Sequence, residues 1–325
     1  MKRMQNGLMV LALVLMGVSA GFAQERQKLN FNGGWLLRVG DVAGAETSDY
    51  DDGGWQQVTL PFAFNGSEAF RKDIVDLTDT ISWYRKHFSL SAEQLSGKVF
   101  AEFEGVRQGG DFYLNGHHLG FSENGVMACG LDLTPYALEG ENVLAVRCDN
   151  SWQYRSRQHD SRYQWNDRNF NANYGGIPKN VYLHTTGKLY QTLPLFSNLG
   201  TTGTYVYATD FDIVGRKAVI HVESEVRNED QCDRSFRLVA QVLDADNQPV
   251  AVLSGEPVVL KAGHTQTVSV RKEVAGLHFW SWGYGYLYTV KTYLADAHAA
   301  LNPMALDSRS DEVVVRTGFR AVRSG

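Results

Sequence analysis

The feature that most constrains this chain is an apolar–polar alternation of period two, repeated in short runs and broken by glycine turns. In residues 98–106, Val99, Ala101 and Phe103 fall on one face and Glu102 and Glu104 on the other, a half-buried strand with solvated glutamates. Residues 111–114 run into Asn115-Gly116, both of which tolerate the positive φ a two-residue hairpin turn demands, and residues 118–121 form the return strand. Later, Ala218, Ile220, Val222, Ser224 and Val226 alternate with His221, Glu223 and Glu225. Phe236, Leu238, Ala240 and Val242 repeat the pattern before a turn at 244–248. Short strands at even intervals, with glycine outnumbering proline 32 to 7, predict an all-β protein.

A length of 325 residues suggests two domains. The strands between about residue 29 and residue 183 read as one β-sandwich. A second set begins near Gly200, and its size and strand count fit an immunoglobulin-like sandwich, although the Cys–Trp–Cys arrangement of antibody domains is missing. Pro194 and Gly200 mark a linker. The expected boundaries are 24–187 for the first sandwich, 188–202 for the linker, 203–320 for the second sandwich and 321–325 for a tail. Residues 1–23 read as a signal peptide. Lys2 and Arg3 precede an apolar core at 8–18 that is too short to span a bilayer, and Gly21-Phe22-Ala23 supplies small residues for cleavage after Ala23. An exported, soluble chain is expected, periplasmic or extracellular.

Composition excludes several classes. A net charge of −5 with no basic run offers no nucleic-acid footprint and no membrane-surface patch. The three cysteines, Cys129, Cys148 and Cys232, form no framework; a Cys129–Cys148 bridge and three unpaired core thiols are both open. His117 and His118 are adjacent and would face opposite sides of a strand, so no metal site and no cofactor is expected.

The least regular stretch is 150–183. Trp152, Tyr154, Tyr163, Trp165, Phe170 and Tyr174 are interspersed there with Arg, Asn, Asp and Gln, in a connection too long for a tight turn. Rings that cover the C–H face of a sugar, beside amides and guanidinium groups that meet its hydroxyls, suit a carbohydrate; a protein surface is also served, and the rings could equally bury in their own domain.

Several motifs together resemble family 2 glycoside hydrolases, the β-galactosidase and β-glucuronidase group. They are Phe31-Asn32-Gly33-Gly34-Trp35, Gly54-Trp55 with Leu60-Pro61, Trp83-Tyr84-Arg85-Lys86-His87-Phe88 and Phe103-Glu104-Gly105-Val106. Others are Tyr113-Leu114-Asn115-Gly116, Asp132-Leu133-Thr134-Pro135-Tyr136, Asn142-Val143-Leu144-Ala145-Val146-Arg147 and Gly175-Gly176-Ile177-Pro178. Trp280-Ser281-Trp282 and Thr317-Gly318-Phe319-Arg320 complete the set. The resemblance implies a galactose-binding-like jelly roll followed by an immunoglobulin-like sandwich. In the family these precede a (β/α)₈ barrel carrying two catalytic glutamates. Here the sequence stops five residues after Arg320, so no position is assigned as catalytic. Glu102 with Glu104, and Asp160 with Asp167, are carboxylate pairs without evidence of catalytic spacing. In this family the first domain lends polar loops to the substrate, which implies Asn65 and Glu68 in one loop and Trp165, Asp167, Asn171 and Asn173 in another as contacts to a β-linked sugar. A chain of this kind is expected to be the non-catalytic N-terminal portion of a β-glycosidase, with a separately encoded catalytic barrel as its implied partner. A stand-alone secreted carbohydrate-binding protein and an adhesion module are the alternatives.

Overall fold

The computed structural model describes residues 25–69, 79–161, 174–297 and 309–321. The first domain contains β1 (Gln27–Asn30), β2 (Trp35–Val39), β3 (Gln56–Val58), β4 (Phe62–Ala63), β5 (Ile81–Leu90), β6 (Lys98–Phe103), β7 (Gly109–Leu114), β8 (His117–Ser122), β9 (Cys129–Asp132), β10 (Gly140–Asp149), β11 (Gly176–Ile177) and β12 (Val181–Thr186). Short helices α1 (Gly66–Ala69) and α2 (Ala92–Leu95) interrupt them. A six-stranded sheet, β3-β2-β5-β10-β7-β8, faces a four-stranded sheet, β1-β12-β6-β9, and β4 pairs with β11 beside them. This is the jelly roll. Its core joins Trp35, Tyr84, Phe103, Phe112, Val146 and Ile177 between the layers.

The run Val143-Leu144-Ala145-Val146 is apolar at every position because β10 is covered on both faces. Leu144 and Val146 point into the core, while Ala145 packs with Trp83 and Ala45 on the outer face. The outer cover is held down by Arg85, which is fully buried. Its Nε donates to Asp52 Oδ2 at 2.7 Å and its Nη1 to the carbonyls of Ala45 and, at 2.8 Å, Thr47. The Asn115-Gly116 turn joins β7 to β8 with φ of 50° and 85°, the geometry that dipeptide was expected to provide.

The second domain contains β13 (Leu189–Gln191), β14 (Thr204–Asp212), β15 (Lys217–Asn228), β16 (Arg234–Leu243), β17 (Pro249–Ser254), β18 (Val258–Leu260), β19 (Thr265–Val274), β20 (Tyr288–Asp296) and β21 (Arg309–Thr317). One sheet runs β13-β15-β14 with β19 also on β15; the other runs β17-β16-β20-β21 with β18 on β16. Ala218, Ile220, Val222, Ser224 and Val226 are buried in register along β15, and Phe236, Leu238, Ala240 and Val242 face them from β16. This is the immunoglobulin-like sandwich.

The structure adds to the sequence reading in three places. The 188–202 stretch read as the linker carries secondary structure: β13 pairs with β15, and α3 (Phe196–Leu199) follows it. Gln191 is fully buried there. Its Oε1 accepts from Ser224 Oγ at 2.8 Å and Thr292 Oγ1 at 2.7 Å, and its Nε2 donates to Asp311 O at 2.6 Å. Asp311 also accepts from Arg26 Nε at 2.8 Å, which ties the segment before β1 to β21. Glu102 does not lie on a solvated face. It accepts from His184 Nε2 at 2.7 Å and pairs with Lys28 at 3.1 Å, because β12 lays His184 directly beside β6. The cysteines are unpaired. Cys129 and Cys148 are buried, and burial pushes the Cys129 thiol up to about 12, whereas Cys232 is exposed and not in a core. Among the described residues no helix is long and apolar enough to cross a membrane, and no cluster of metal-ligating side chains forms.

Candidate functional site

The loop that carries Asn65 and Glu68 lies against Gly175–Ile177, where the aromatic stretch ends. Pairing of Ala63 with Gly176 and of Phe62 with Ile177 joins β4 to β11, so the loop after Leu60 runs beside the end of the aromatic stretch. Asn65 is 2% exposed, and its Oδ1 accepts from Gly175 N at 2.8 Å. Tyr84 Oη donates to Phe62 O at 2.8 Å from beneath. Gly176, at φ 101°, leaves room for that hydroxyl: a Cβ there would lie 2.1 Å from it. Asn65 therefore stitches the loops together from the inside. Glu68 belongs to α1, next to that seam. Trp165, Asp167, Asn171 and Asn173 lie outside the described residues. Asp160 pairs with Arg155 at 2.6 Å.

A cavity of about 1090 Å³ opens beside this seam. Its walls come from the end of β8, the turn at 123–126, Arg107 and Gln108 before β7, Ser156 and His159 of the aromatic stretch, Tyr174, and Asn198 and Leu199 of α3. Two groups of polar residues stand in or behind its wall. The first is densely bonded. Glu123 accepts from Tyr154 Oη and Arg157 N, both at 2.7 Å, and from Ser156 Oγ at 3.2 Å. Burial raises the Glu123 carboxyl, but these donors together hold it below the ordinary range, so it is ionised at neutral pH. Arg157 closes a bidentate pair with Asp111, at 2.9 and 2.5 Å, and lies 4.8 Å from the Phe121 ring centroid. Asp111 accepts from His118 Nε2 at 3.1 Å as well. Burial works against its charge, and Arg157 and His118 more than offset that. Gly109 makes the arrangement fit: a Cβ there would meet Tyr154 Oη at 2.4 Å.

The second group is Arg107 and Gln108. Main-chain bonds fix them: Arg107 exchanges hydrogen bonds with Gly176 at 2.9 and 3.1 Å, and Gln108 N donates to Asp149 O at 3.1 Å. The peptide bond between them is cis. Arg107 is 7% exposed and Gln108 2%, yet Arg107 Nε and Gln108 Nε2 are buried without an acceptor among the described residues. The guanidinium carbon stands 4.9 Å from the centroid of the Tyr174 ring.

Sequence reasoning named none of Arg107, Gln108, Glu123, Asp111 or Arg157. The one local signal was Gly109-Gly110 directly after Arg107-Gln108, two glycines opening a strand otherwise free of them. Arrangement and chemistry fit the binding of a polar, partly apolar-faced ligand.

Comparison with known proteins decides the lineage. The model for the sugar-binding domain of family 2 glycosyl hydrolases matches residues 40–187, and the model titled glycosyl hydrolases family 2 matches residues 204–320. The chain belongs to glycoside hydrolase family 2. It is 35% identical over 289 residues to a β-glucuronidase of Formosa agariphila, an alignment covering 86% of this chain and 29% of that protein. Against the β-galactosidase BoGH2A of Bacteroides ovatus the identity is 28% over 317 residues, covering 94% of this chain and 34% of that one. A solved family 2 β-glucuronidase superposes with a TM-score of 0.81 at 32% identity, covering 92% of this chain and 31% of its own. The chain thus spans about a third of the length of the curated relatives it matches. It corresponds to the non-catalytic N-terminal portion of a family 2 β-glycosidase, and the cavity lies within the region matched by the sugar-binding model, bordered by α3.

Proposed function

We propose that this portion holds a β-linked carbohydrate and presents it to a catalytic barrel, on the same polypeptide or separately encoded. The observation that carries the reading is the seam of Asn65 with Gly175 and β4 with β11. It holds the Asn65 loop to Gly175, at the end of the aromatic stretch, beside a cavity of about 1090 Å³, which supports a site for more than one sugar ring. Asn65 serves as the internal pin of the seam, and Glu68, Trp165, Asp167, Asn171 and Asn173 supply contacts to the sugar. Relatives bearing the names β-glucuronidase and β-galactosidase support a β-glycoside as the substrate of the whole protein. Residues 1–23 act as an export signal, and the mature protein works in the periplasm or outside the cell.

Isothermal titration of the chain with a panel of β-linked disaccharides tests this. Millimolar or tighter binding to at least one of them, weakened by Trp165→Ala, is the expected result. Silence across the panel would overturn the reading. Sequencing of the exported protein is expected to start at Gln24; retention of Met1 in a cytoplasmic product would overturn the export assignment.

A further inference from the structure

We propose that one end of the immunoglobulin-like sandwich, built around Trp282, is the docking surface for the portion that follows residue 320 in longer family 2 proteins. The proposal rests on the reading that this chain works with a catalytic barrel, and it names the surface that holds the barrel.

Trp282 stands at the tip of a tight turn. Ser281 and Tyr284 exchange main-chain hydrogen bonds at 3.0 and 2.9 Å, and Gly283 takes a φ of 81° between them. Trp282 is 97% exposed, and so is Val214 in the turn between β14 and β15. Turn geometry asks for no apolar side chain at either place, and small polar residues meet it more readily. The indole of Trp282 therefore contributes nothing to the packing of its own domain. Its large apolar area is of use only against a partner.

The two turns belong to one surface. Arg216 donates from Nε to Leu277 O at 3.1 Å and from Nη2 to Gly276 O at 3.0 Å, and Leu277 N donates back to Arg216 O at 2.9 Å. These bonds strap the β14–β15 turn to the segment that leads into Trp280. Below them Phe211 and Phe279 meet edge to face at 5.3 Å, and His278 stacks on Tyr286 at 4.6 Å. Ile213, Val214, Trp282, Tyr284 and Leu287, all exposed, crown this end of the sandwich. Apolar side chains scattered singly need no explanation, but gathered in one patch they mark an interface. Trp, Tyr and Arg are also the residues that most often carry binding energy there.

The occupant follows from where β21 leads. Trp280 N donates to Phe319 O at 2.8 Å, and the Arg320 guanidinium carbon stands 5.2 Å from the centroid of the Trp280 ring. Gly318 permits that approach, since a Cβ there would lie 2.9 Å from Trp280 Cβ and 3.0 Å from Tyr286 O. The chain thus leaves β21 against the crown. The family model ends at residue 320, and this N-terminal portion makes up 29% of one curated relative and 34% of another. In such a longer protein the next domain starts from the crown itself, and the tether gives it a high effective concentration there. Among the described residues no carboxylate lies within ion-pair range of Arg320. The partner surface is accordingly apolar, with an acidic group opposite Arg320.

The probe for the test is the part of the Formosa agariphila β-glucuronidase that follows its region aligned with this chain. It is joined to this chain after Arg320, and hydroxyl-radical footprinting compares the joined protein with the chain alone. Oxidation of Trp282 and Tyr284 is expected to be lost on joining. Val259, exposed at the opposite end of the sandwich where β18 pairs with the start of β16, should react equally in both. Equal oxidation of Trp282 in the two proteins overturns the proposal. Protection that grows with concentration in the chain alone assigns the crown to a second copy and overturns it too. Should the joined protein fail to fold, the two parts are titrated against each other as separate chains. Trp282→Asp is expected to weaken that binding about tenfold or more, at an unchanged melting temperature of the free chain. No binding, or binding that Trp282→Asp leaves as it was, overturns the proposal. Neither measurement contains a sugar, so failure here leaves the carbohydrate titration to stand or fall by itself.

Discussion

Two clusters of buried polar side chains in this molecule differ in one respect. Around Gln191 at the domain junction the buried side chains bond one another: Ser224, Thr292, Asp311 and Arg26 close a network between β13, β15, β20, β21 and the segment before β1. Around Arg107 and Gln108 in the jelly roll the main chain is as firmly held, yet Arg107 Nε and Gln108 Nε2 have no acceptor among the described residues. A saturated network serves the fold, since each member lost strands its partners. An unsaturated one costs the fold the desolvation of each stranded group. The comparison teaches which buried polar groups hold the fold and which weaken it.

The junction should give the largest effect. Asp311→Ala leaves Arg26 and the Gln191 amide without their acceptor, both in nearly water-free surroundings. A loss of about 3–5 kcal/mol in urea unfolding is expected, the usual cost of removing one partner of a buried ion pair. A loss under about 1 kcal/mol would mean the junction is wetter than its geometry implies, and the contrast with the cavity would collapse.

The Asp111–Arg157 pair is intermediate, being closed on itself but open to water. Asp111→Asn is expected to cost about 1–2 kcal/mol, because the Arg157 side chain is 42% exposed and solvent screens the pair. Its pH dependence has a definite sign. The folded carboxyl of Asp111 is held below its unfolded value, so its contribution is present above the unfolded carboxyl range, about pH 4, and is lost as pH falls through the lower folded value. The gap between wild type and Asp111→Asn should be constant from pH 7 to about pH 5 and shrink in acid. A gap that widens in acid would show that the pair is not what Asp111 contributes.

Much of the fold was legible. The alternation in β15 and β16 names the buried face residue by residue, and Asn115-Gly116 names the turn, because both are local properties. What failed to show is set by partners far along the chain. Glu102 alternates like a solvated residue, and only the pairing of β6 with β12, eighty residues on, brings His184 against it. A three-residue strand such as β13 is too short to carry a period, so 188–202 read as a linker. Of the candidate contacts, Asn65 faces inward as a pin to Gly175, and Trp165, Asp167, Asn171 and Asn173 lie outside the described residues. Arg107 and Gln108 belong to no motif of their own. Their meaning lies in what is missing around them in space, which no spacing of residues records.

A smaller change probes the bonded half of the cavity. Tyr154→Phe removes one donor to Glu123 while keeping the ring against Gly109. About 0.5–1.5 kcal/mol is expected from denaturant unfolding, since the carboxylate retains Arg157 N and Ser156 Oγ. A loss above about 3 kcal/mol would show that Glu123 is a keystone of the fold and that both halves of the cavity wall are structural.

The smallest expected change, and the one of opposite sign, is Gln108→Leu in the unliganded chain. Gln108 is 2% exposed with Nε2 unbonded, so the wild-type fold carries the desolvation of that amide without a hydrogen bond in return. Leucine has similar volume and no polar atom to strand. The variant should therefore melt at the wild-type temperature or slightly above it, while Asp311→Ala, at a site equally buried, melts far below. If Gln108→Leu instead destabilised the chain by as much as Tyr154→Phe, its amide would have to be satisfied in the free protein, and the two clusters would be alike.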